Sequence, residues 1–320
     1  MNPEGLFLRE GNLRPIWRFC LAVILVFLVH QATVLVTLEA SHFLSGDAAA
    51  FACYFLFELA ALLAVFKLLT RFLERKPLGV VGLAFHPAWV KELCAGFGIG
   101  GIMMLAVGGA EALLALAWFG RTSLAAGEEL AYGGGLFLLL LLSATNEELV
   151  FRGYPFQRLV DSLGPAGAVA VSSVCFGLMH LGNPDHTWFS TINTMLVGIP
   201  LSLAYLRTRA LWLPVGIHFA WNYIQGFILG LPVSGIQFPA TLLNAQVHGG
   251  KWLTGSVYGP EGGIFCTLVV LGAAIFLFLS SRIRISGRMK ELVYGPSPYA
   301  TADEAVHIAP RPDSNEEGPS

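Results

Sequence analysis

The sequence predicts an all-α membrane protein, a polytopic helix bundle with about eight transmembrane helices. The chain of 320 residues is 55% hydrophobic and only 12% charged, whereas a soluble domain carries about 25% charged residues. Its mean hydropathy is +0.66. Apolar segments of roughly 20 residues, long enough to cross about 30 Å of hydrocarbon as a helix, recur along the chain.

The predicted spans cover most of the chain. They lie at residues 16–38, 48–70, 93–118, 133–152, 166–182, 188–206, 211–231 and 262–280. The first apolar run is too long for a cleaved signal peptide, and no small-residue cleavage site follows it, so we expect a retained anchor. The transmembrane domain is predicted at 16–281, after a cytoplasmic N-terminus at 1–15. A loop at 232–261 is expected on the outer face, and the polar cytoplasmic tail at 282–320 is expected to be disordered.

The basic residues orient these spans, because short cytoplasmic loops carry an excess of lysine and arginine. Basic residues cluster before the first span, between the second and third, and after the fourth, sixth and eighth, while the other loops hold only Arg121 and Lys251. This pattern predicts a multi-pass protein of the cell membrane with both termini in the cytoplasm. The net charge of −2 indicates no nucleic-acid partner, and the scattered cysteines indicate no disulfide framework.

Few ionisable residues fall inside the predicted spans. A charge at the bilayer centre costs about 2.5–3.5 kcal/mol on insertion scales, so each such residue requires a partner or a function. His30 and Glu58 lie at similar depth in adjacent antiparallel spans, and we expect them to pair with each other. Glu111 is near the outer end of its span and is expected to reach the interface.

The stretch "ATNEELVFRGY", residues 144–154, places two acids and an arginine at the end of an apolar run. On a helix Glu148 and Arg152 stand four residues apart with the acid first, the better order for an ion pair. Glu147 is rotated by about 100° from Glu148, so Arg152 does not pair it. This asymmetry indicates two carboxylates with separate roles. The alternative is a salt-bridged helix end with a spare glutamate.

Two later stretches add imidazoles. In "CFGLMHLGNP", Phe176 and His180 lie one helical turn apart, directly before a helix break. In "WLPVGIHFAWNY", His218 and Asn222 lie four residues apart on one helix face. A single histidine in a membrane helix is usually a satisfied core residue. Two histidines together with an unpaired glutamate, on three helices, predict a shared polar site.

Taken in order, "EELVFR", "FGLMH" and "HFAWN" resemble the three motifs of the CPBP intramembrane proteases. That family includes the Ras-converting CAAX prenyl endopeptidases and bacterial proteins linked to bacteriocin self-immunity. Each motif alone is weak, but the ordered set on hydrophobic helices is specific. The resemblance covers residues 133–231, about a third of the chain, which would be the protease core.

The resemblance implies an intramembrane endopeptidase that hydrolyses a peptide bond with an activated water. Glu147 would be the general base, and His180 would help to orient the water. His218 and Asn222 would stabilise the oxyanion. Structural support would come from Glu148, Arg152 and Phe176. The implied partners are a peptide or membrane-protein substrate and the lipid bilayer.

The family is also described as a metalloprotease family, so a zinc ion is an open alternative. Glu147, His180 and His218 would supply a His₂Glu ligand set with one position left for water. No H-E-x-x-H helix is present, and a ligating Glu147 would leave the reaction without a base. The favoured mechanism therefore requires no cofactor.

Two functions of other classes stay open on the sequence. The chain could be a non-enzymatic membrane immunity or scaffold protein, although such a protein has no need of buried ionisable groups. It could also be a proton-coupled transporter, for which glutamate and histidine inside the membrane are natural. A transporter would be expected to show an internal repeat, which this sequence lacks.

Overall fold

The computed structural model describes residues 3–9, 11–41, 47–296 and 299, and most of them are helical. The α-helices are α1 (Pro3–Phe7), α2 (Pro15–Ser41), α3 (Asp47–Leu73), α4 (Trp89–Leu113), α5 (Ala126–Arg152), α6 (Tyr154–Met179), α7 (Trp188–Thr208), α8 (Trp212–Tyr223), α9 (Lys251–Thr254), α10 (Ile264–Leu279) and α11 (Gly287–Tyr294). A π-helical turn, Ile224–Ile228, continues α8. The strands are β1 (Leu8–Arg9), β2 (Asn12–Leu13), β3 (Ala117–Arg121) and β4 (Leu243–Val247).

The long helices confirm the predicted helical membrane fold. Within the described residues, five stretches are long and apolar enough to cross a bilayer, and one of them, 126–182, contains both α5 and α6. The predicted seventh span corresponds to α8 and its π-helical turn, and the eighth to the shorter apolar helix α10. Each of the eight predicted spans therefore coincides with helical structure.

One end of the bundle, here called the basic end, is held by ionic and polar contacts. Glu74, just after α3, accepts hydrogen bonds from Arg18 of α2 (2.8 Å), from Arg158 of α6 (2.5 Å) and from the Tyr154 hydroxyl (2.7 Å). Arg207 near the end of α7 donates to the Ile283 carbonyl beyond α10 (3.1 Å). The starts of α2 and α6 and the ends of α3, α7 and α10 consequently lie on the same side.

The other end, here called the strand end, carries the antiparallel pair of β3 and β4. Here Asn193 of α7 donates to the carbonyls of Glu261 (2.8 Å) and Gly263 (2.9 Å), which precede α10. The Glu261 carboxylate accepts from Gln225 Nε2 (2.7 Å) of the π-helical turn. Burial raises the pKa of the Glu261 carboxyl group to about 6.

The first half of α6, residues 154–165, lies between the predicted fourth and fifth spans, whereas its second half coincides with the predicted fifth span. Helix α6 starts at Tyr154 with a proline in its first turn, where proline is tolerated. It breaks at Gly164, whose φ of 74° lies in the left-handed region, directly before Pro165. Ser172 then donates to the Phe151 carbonyl (2.9 Å). The second half of α6 therefore runs back alongside the end of α5.

The predicted tail also differs from the structure in its first part. Residues 282–320 were expected to be disordered, yet Gly287–Tyr294 forms helix α11, capped by the Ser286 side chain. This helix is amphipathic, and it buries Met289 while Lys76 binds the Val293 carbonyl. The burial and the contact explain why a polar sequence is ordered here. Residues 300–320 lie outside the described part of the chain.

The closest helix pair consists of α4 and α8, and glycines make this contact possible. A Cβ placed on Gly96 would lie 2.2 Å from the Leu213 carbonyl oxygen, and one on Gly100 would lie 2.1 Å from that of Ile217. Gly216 of α8 approaches α4 in the same way, with its Cβ position 2.3 Å from the Leu93 carbonyl oxygen. Small residues at such spacing let membrane helices approach backbone to backbone. This contact fixes the segment of α8 that carries His218.

Candidate active site

The buried centre of the bundle holds the predicted ion pair. Arg152 Nη1 lies 3.1 Å from Glu148 Oε1, and both side chains have no exposed surface. Arg152 Nη2 donates to the Gly198 carbonyl (3.3 Å), midway along α7. The guanidinium also lies 4.6 Å from the centre of the Phe176 ring, a cation–π distance. Arg152 thus contacts both Glu148 and Phe176 in the core.

Glu147 has a different environment, as the helical spacing predicts. Its side chain is 32% exposed. The nearest basic atom in the described structure is His218 Nε2, which lies 3.9 Å from Glu147 Oε2. That distance is too long for a hydrogen bond. Ser143, one turn earlier on α5, donates to Glu147 Oε1 (3.2 Å). The carboxylate is therefore held in position while one of its oxygens stays accessible.

His218 stands between the two glutamates. Its Nδ1 lies 2.9 Å from Glu148 Oε1, the oxygen that also accepts from Arg152. Because an ionised carboxylate only accepts, Nδ1 carries the proton and Nε2 is the atom directed towards Glu147. Two carboxylates, one guanidinium and one imidazole form this cluster. It is electrically neutral when the imidazole is protonated.

His180 follows the last residue of α6 and is oriented by the helix end. Its Nδ1 lies 2.7 Å from the Phe176 carbonyl, which can only accept, so Nδ1 is the protonated nitrogen. The neutral ring then presents Nε2 as an acceptor. The Phe176 ring lies 4.8 Å from the His180 ring and 6.0 Å from the His218 ring, and it stands next to both imidazoles. The two imidazoles consequently belong to one region of the core.

Asn222 lies one turn beyond His218 on α8 and is half-buried. Its side chain makes no hydrogen bond to any residue that the structure describes. Its amide is therefore available as a donor on the helix face that carries His218.

Some polar contacts at the site could not be predicted from the sequence. The hydrogen bond from His218 to Glu148 joins α8 to α5 through residues that are 70 positions apart in the sequence. Asn146 Nδ2 donates to the Phe55 carbonyl (2.8 Å) and ties α5 to α3 beside Glu147. Ser143 could have been found, because serine four residues before Glu147 shares its helix face.

The prediction for Glu111 was wrong, whereas that for His30 and Glu58 is confirmed. Glu111 is fully buried, and its carboxylate oxygens have no hydrogen-bond partner within the described ranges. The chain folds back at the end of α4, where Leu116 N donates to the Glu111 carbonyl (2.8 Å), and β3 covers the helix end. His30 Nδ1 lies 3.1 Å from Glu58 Oε1, as expected.

The three residues considered for zinc do not form a metal site in this arrangement. Among the described residues, no group of three or more His, Cys, Asp or Glu side chains is placed to hold a metal ion. The Nδ1 atoms of both histidines are hydrogen-bonded, to the Phe176 carbonyl and to Glu148, so only their Nε2 atoms are open to a ligand. Glu147, His180 and His218 do not converge on one point in the described structure.

The fold and the site define a polytopic helical membrane protein with a glutamate, two histidines and an asparagine in its core. A family model described as Type II CAAX prenyl endopeptidase Rce1-like matches residues 129–224. The matched segment is a little under a third of the chain and contains the three motifs and every candidate site residue. Over these residues the chain is similar to the CAAX-protease-like family. No curated protein sequence and no solved structure matches the chain.

Proposed function

We propose that the chain is an intramembrane endopeptidase that hydrolyses a peptide bond in a membrane-embedded peptide or protein. The observation that carries the proposal is the contrast between two consecutive glutamates. Glu148 is fully buried in an ion pair, while Glu147 is 32% exposed and has no basic group within hydrogen-bond distance in the described structure. One carboxylate is structural, and the other is free to accept a proton.

The first step is the activation of water. Glu147 takes a proton from a water molecule, and the resulting hydroxide oxygen bonds to the carbonyl carbon of the substrate. His180 Nε2 accepts the second hydrogen of the same water and thereby orients its lone pair.

The second step is the stabilisation of the charge that develops on the carbonyl oxygen. His218 carries a proton, because this neutralises the cluster of two glutamates and Arg152, and its Nε2–H becomes a donor. Asn222 Nδ2 supplies a second donor one turn away. Such donors typically contribute about 3 kcal/mol each in an oxyanion hole. Glu147 then returns its proton to the amine nitrogen as the C–N bond breaks.

The test of this proposal is substrate capture followed by cleavage. Glu147→Gln, reconstituted in lipid, should retain intact substrate that mass spectrometry can identify. The wild-type protein should convert that substrate into two fragments whose masses sum to the substrate plus one water. Glu148→Gln and Glu147→Gln should be compared at equal folded fraction. If no captured polypeptide is ever cut by the wild-type protein, the chain is not a protease.

The proposed reaction uses no metal, and this metal independence can be tested separately. Activity should survive exhaustive chelation, and purified protein should contain far less than one zinc per chain by elemental analysis. A stoichiometric zinc that disappears together with activity in His180→Ala and His218→Ala would contradict the proposal. Metal binding to the variants should be measured directly, so that the result does not depend on activity alone.

A further inference from the structure

A second polar group lies inside the bundle, outside the segment that the family model matches. His30 of α2 and Tyr54 and Glu58 of α3 form a triangle. The Tyr54 hydroxyl donates to Glu58 Oε1 (3.1 Å) and lies 2.8 Å from His30 Nδ1, which is itself 3.1 Å from Glu58 Oε1. These three residues are called the α2–α3 triad below.

Helix α3, which carries two members of the α2–α3 triad, packs against α5, which carries Glu147. Tyr54 and Glu147 both lie beside the contact between these two helices. The residues next in sequence are directly bonded, since Asn146 Nδ2 donates to the Phe55 carbonyl (2.8 Å). The catalytic glutamate and the triad therefore lie at the same depth on neighbouring helices, α5 and α3.

The triad is more than a structural pair, because one of its members is left open. Glu58 is buried, but the His30 side chain is 42% exposed. With Tyr54 donating its proton to Glu58, Nδ1 of His30 must donate within the triangle. The opposite ring atom, Nε2, has no hydrogen-bond partner among the residues described. The triad therefore fixes the ring and leaves a polar edge at the depth of Glu147.

A protease that acts in a membrane has a use for such an edge. A transmembrane helix must be unwound locally before its peptide bond can be attacked, and this frees backbone N–H and C=O groups. In hydrocarbon each unpaired group costs several kcal/mol unless the protein supplies a partner. Glu147, His180, His218 and Asn222 serve the scissile bond itself in the proposed mechanism. Other partners are required for the neighbouring peptide groups.

We propose that the α2–α3 triad is a substrate subsite, in which His30 hydrogen-bonds the unwound backbone of a membrane-embedded peptide across from Glu147. Tyr54 and Glu58 are positioning residues that hold the His30 ring. The proposal rests on the proposed protease function. It assigns a role in substrate binding to helices that carry no family motif.

The test measures binding, so that it does not depend on cleavage. All variants are made in the Glu147→Gln protein and reconstituted in phosphatidylcholine vesicles. The probes are two dye-labelled synthetic transmembrane peptides of leucine and alanine. One has a central Gly-Gly-Pro helix break and the other is continuous. His30→Leu should weaken binding of the broken peptide about five- to tenfold, as expected for one lost hydrogen bond, and leave the continuous peptide unaffected.

Two further variants make the result decisive. Tyr54→Phe keeps the aromatic ring but removes the hydroxyl that holds His30. It should therefore reproduce part of the loss of affinity for the broken peptide. Gln31→Leu, at the adjacent exposed position of α2, should bind both peptides as the parent does. If His30→Leu and Tyr54→Phe lower the melting temperature while the folded proteins bind the broken peptide as tightly as the parent, the triad is only structural. Failure of the parent to prefer the broken peptide also overturns the subsite.

The outcome can be separated from that of the proposed function. Peptide binding that depends on His30, in a protein whose wild-type form cuts no substrate, would retain the subsite and reject the protease. Cleavage that requires Glu147 but is indifferent to His30 in both KM and kcat would retain the protease and reject the subsite.

Discussion

At the scale of single residues, the adjacent glutamates 147 and 148 divide two roles between them. Glu148 accepts from both Arg152 and His218 through the same oxygen. Glu147 bonds only to Ser143 among the residues described and is partly exposed. A single position along a helix, a rotation of about 100°, is enough to separate a buried structural acid from an accessible base.

Glu148→Gln should destabilise the protein. It removes the charge that compensates Arg152 in a site without exposed surface, and the breaking of a buried ion pair typically costs about 3–5 kcal/mol. Thermal unfolding in detergent should show a clear drop in melting temperature. Glu147→Gln is the matched control, since it alters an adjacent residue of the same kind, and its melting temperature should stay near that of the wild type. Equal destabilisation by both variants would contradict the assigned roles.

Asn222→Ala should lower kcat about 10²- to 10³-fold, the usual effect of removing one oxyanion donor. Its melting temperature should change little, because the side chain makes no hydrogen bond within the described structure. The measurement is steady-state cleavage of the captured substrate. A large rise in KM with unchanged kcat would instead place Asn222 in ground-state binding.

At the scale of elements, the glycine contact between α4 and α8 positions His218. A methyl group added at Gly100 would lie 2.1 Å from the Ile217 carbonyl oxygen, so the helices must separate. This oxygen belongs to the residue before His218. The shift would therefore be transmitted to the Glu148–His218 hydrogen bond.

Gly100→Ala should consequently reduce stability by about 1–3 kcal/mol and lower cleavage as well. Gly98→Ala is the control on the same helix, since its Cβ would meet no atom within 4 Å. It should be neutral or slightly stabilising, because alanine favours a helix over glycine by up to about 1 kcal/mol. Thermal unfolding of the two variants in parallel checks this. Loss of stability in both would mean that the α4–α8 contact is not the cause.

The elements also show which parts of the site could be predicted from the sequence. The period of the α-helix correctly predicted the ion pair between Glu148 and Arg152. It also correctly predicted that Glu147 lies on a different face of the helix. The antiparallel arrangement of neighbouring spans correctly predicted the contact between His30 and Glu58. It did not predict that the Tyr54 hydroxyl joins them. The contact of Glu148 with His218 depends on how α5 and α8 pack, which no local pattern specifies. Only the first half of α6 was missed, because Tyr154, Pro155 and the charges after them resemble a loop.

At the scale of the whole molecule, tryptophans and charges mark the two ends of the bundle. Trp17, Trp89 and Trp212 begin helices at the basic end, while Trp118, Trp188 and Trp252 lie at the strand end. Amphipathic aromatic rings are enriched at both interfaces of a membrane. Within the described ranges, the loop lysines and arginines lie at the basic end, except for Arg121 and Lys251 at the strand end. We infer that the basic end faces the cytoplasm.

Cysteine labelling checks this orientation. In a protein whose five native cysteines are replaced, Ser281→Cys places a thiol at the basic end and Ser123→Cys places one at the strand end. Both positions are exposed. A membrane-impermeant thiol reagent added to intact cells should label Ser123→Cys, and labelling of Ser281→Cys should require inside-out vesicles. The reverse pattern would invert the topology.

The central claim is that Glu147 activates the water that cuts the peptide bond. The most direct measurement is the rate of cleavage of the captured substrate by wild-type protein and by Glu147→Gln in the same lipid. Loss of a general base typically lowers the rate about 10²- to 10⁴-fold. The rate of cleavage by Glu147→Gln should fall by this amount, with an unchanged melting temperature. Wild-type cleavage by Glu147→Gln, together with a loss of cleavage in folded Glu148→Gln, would contradict it.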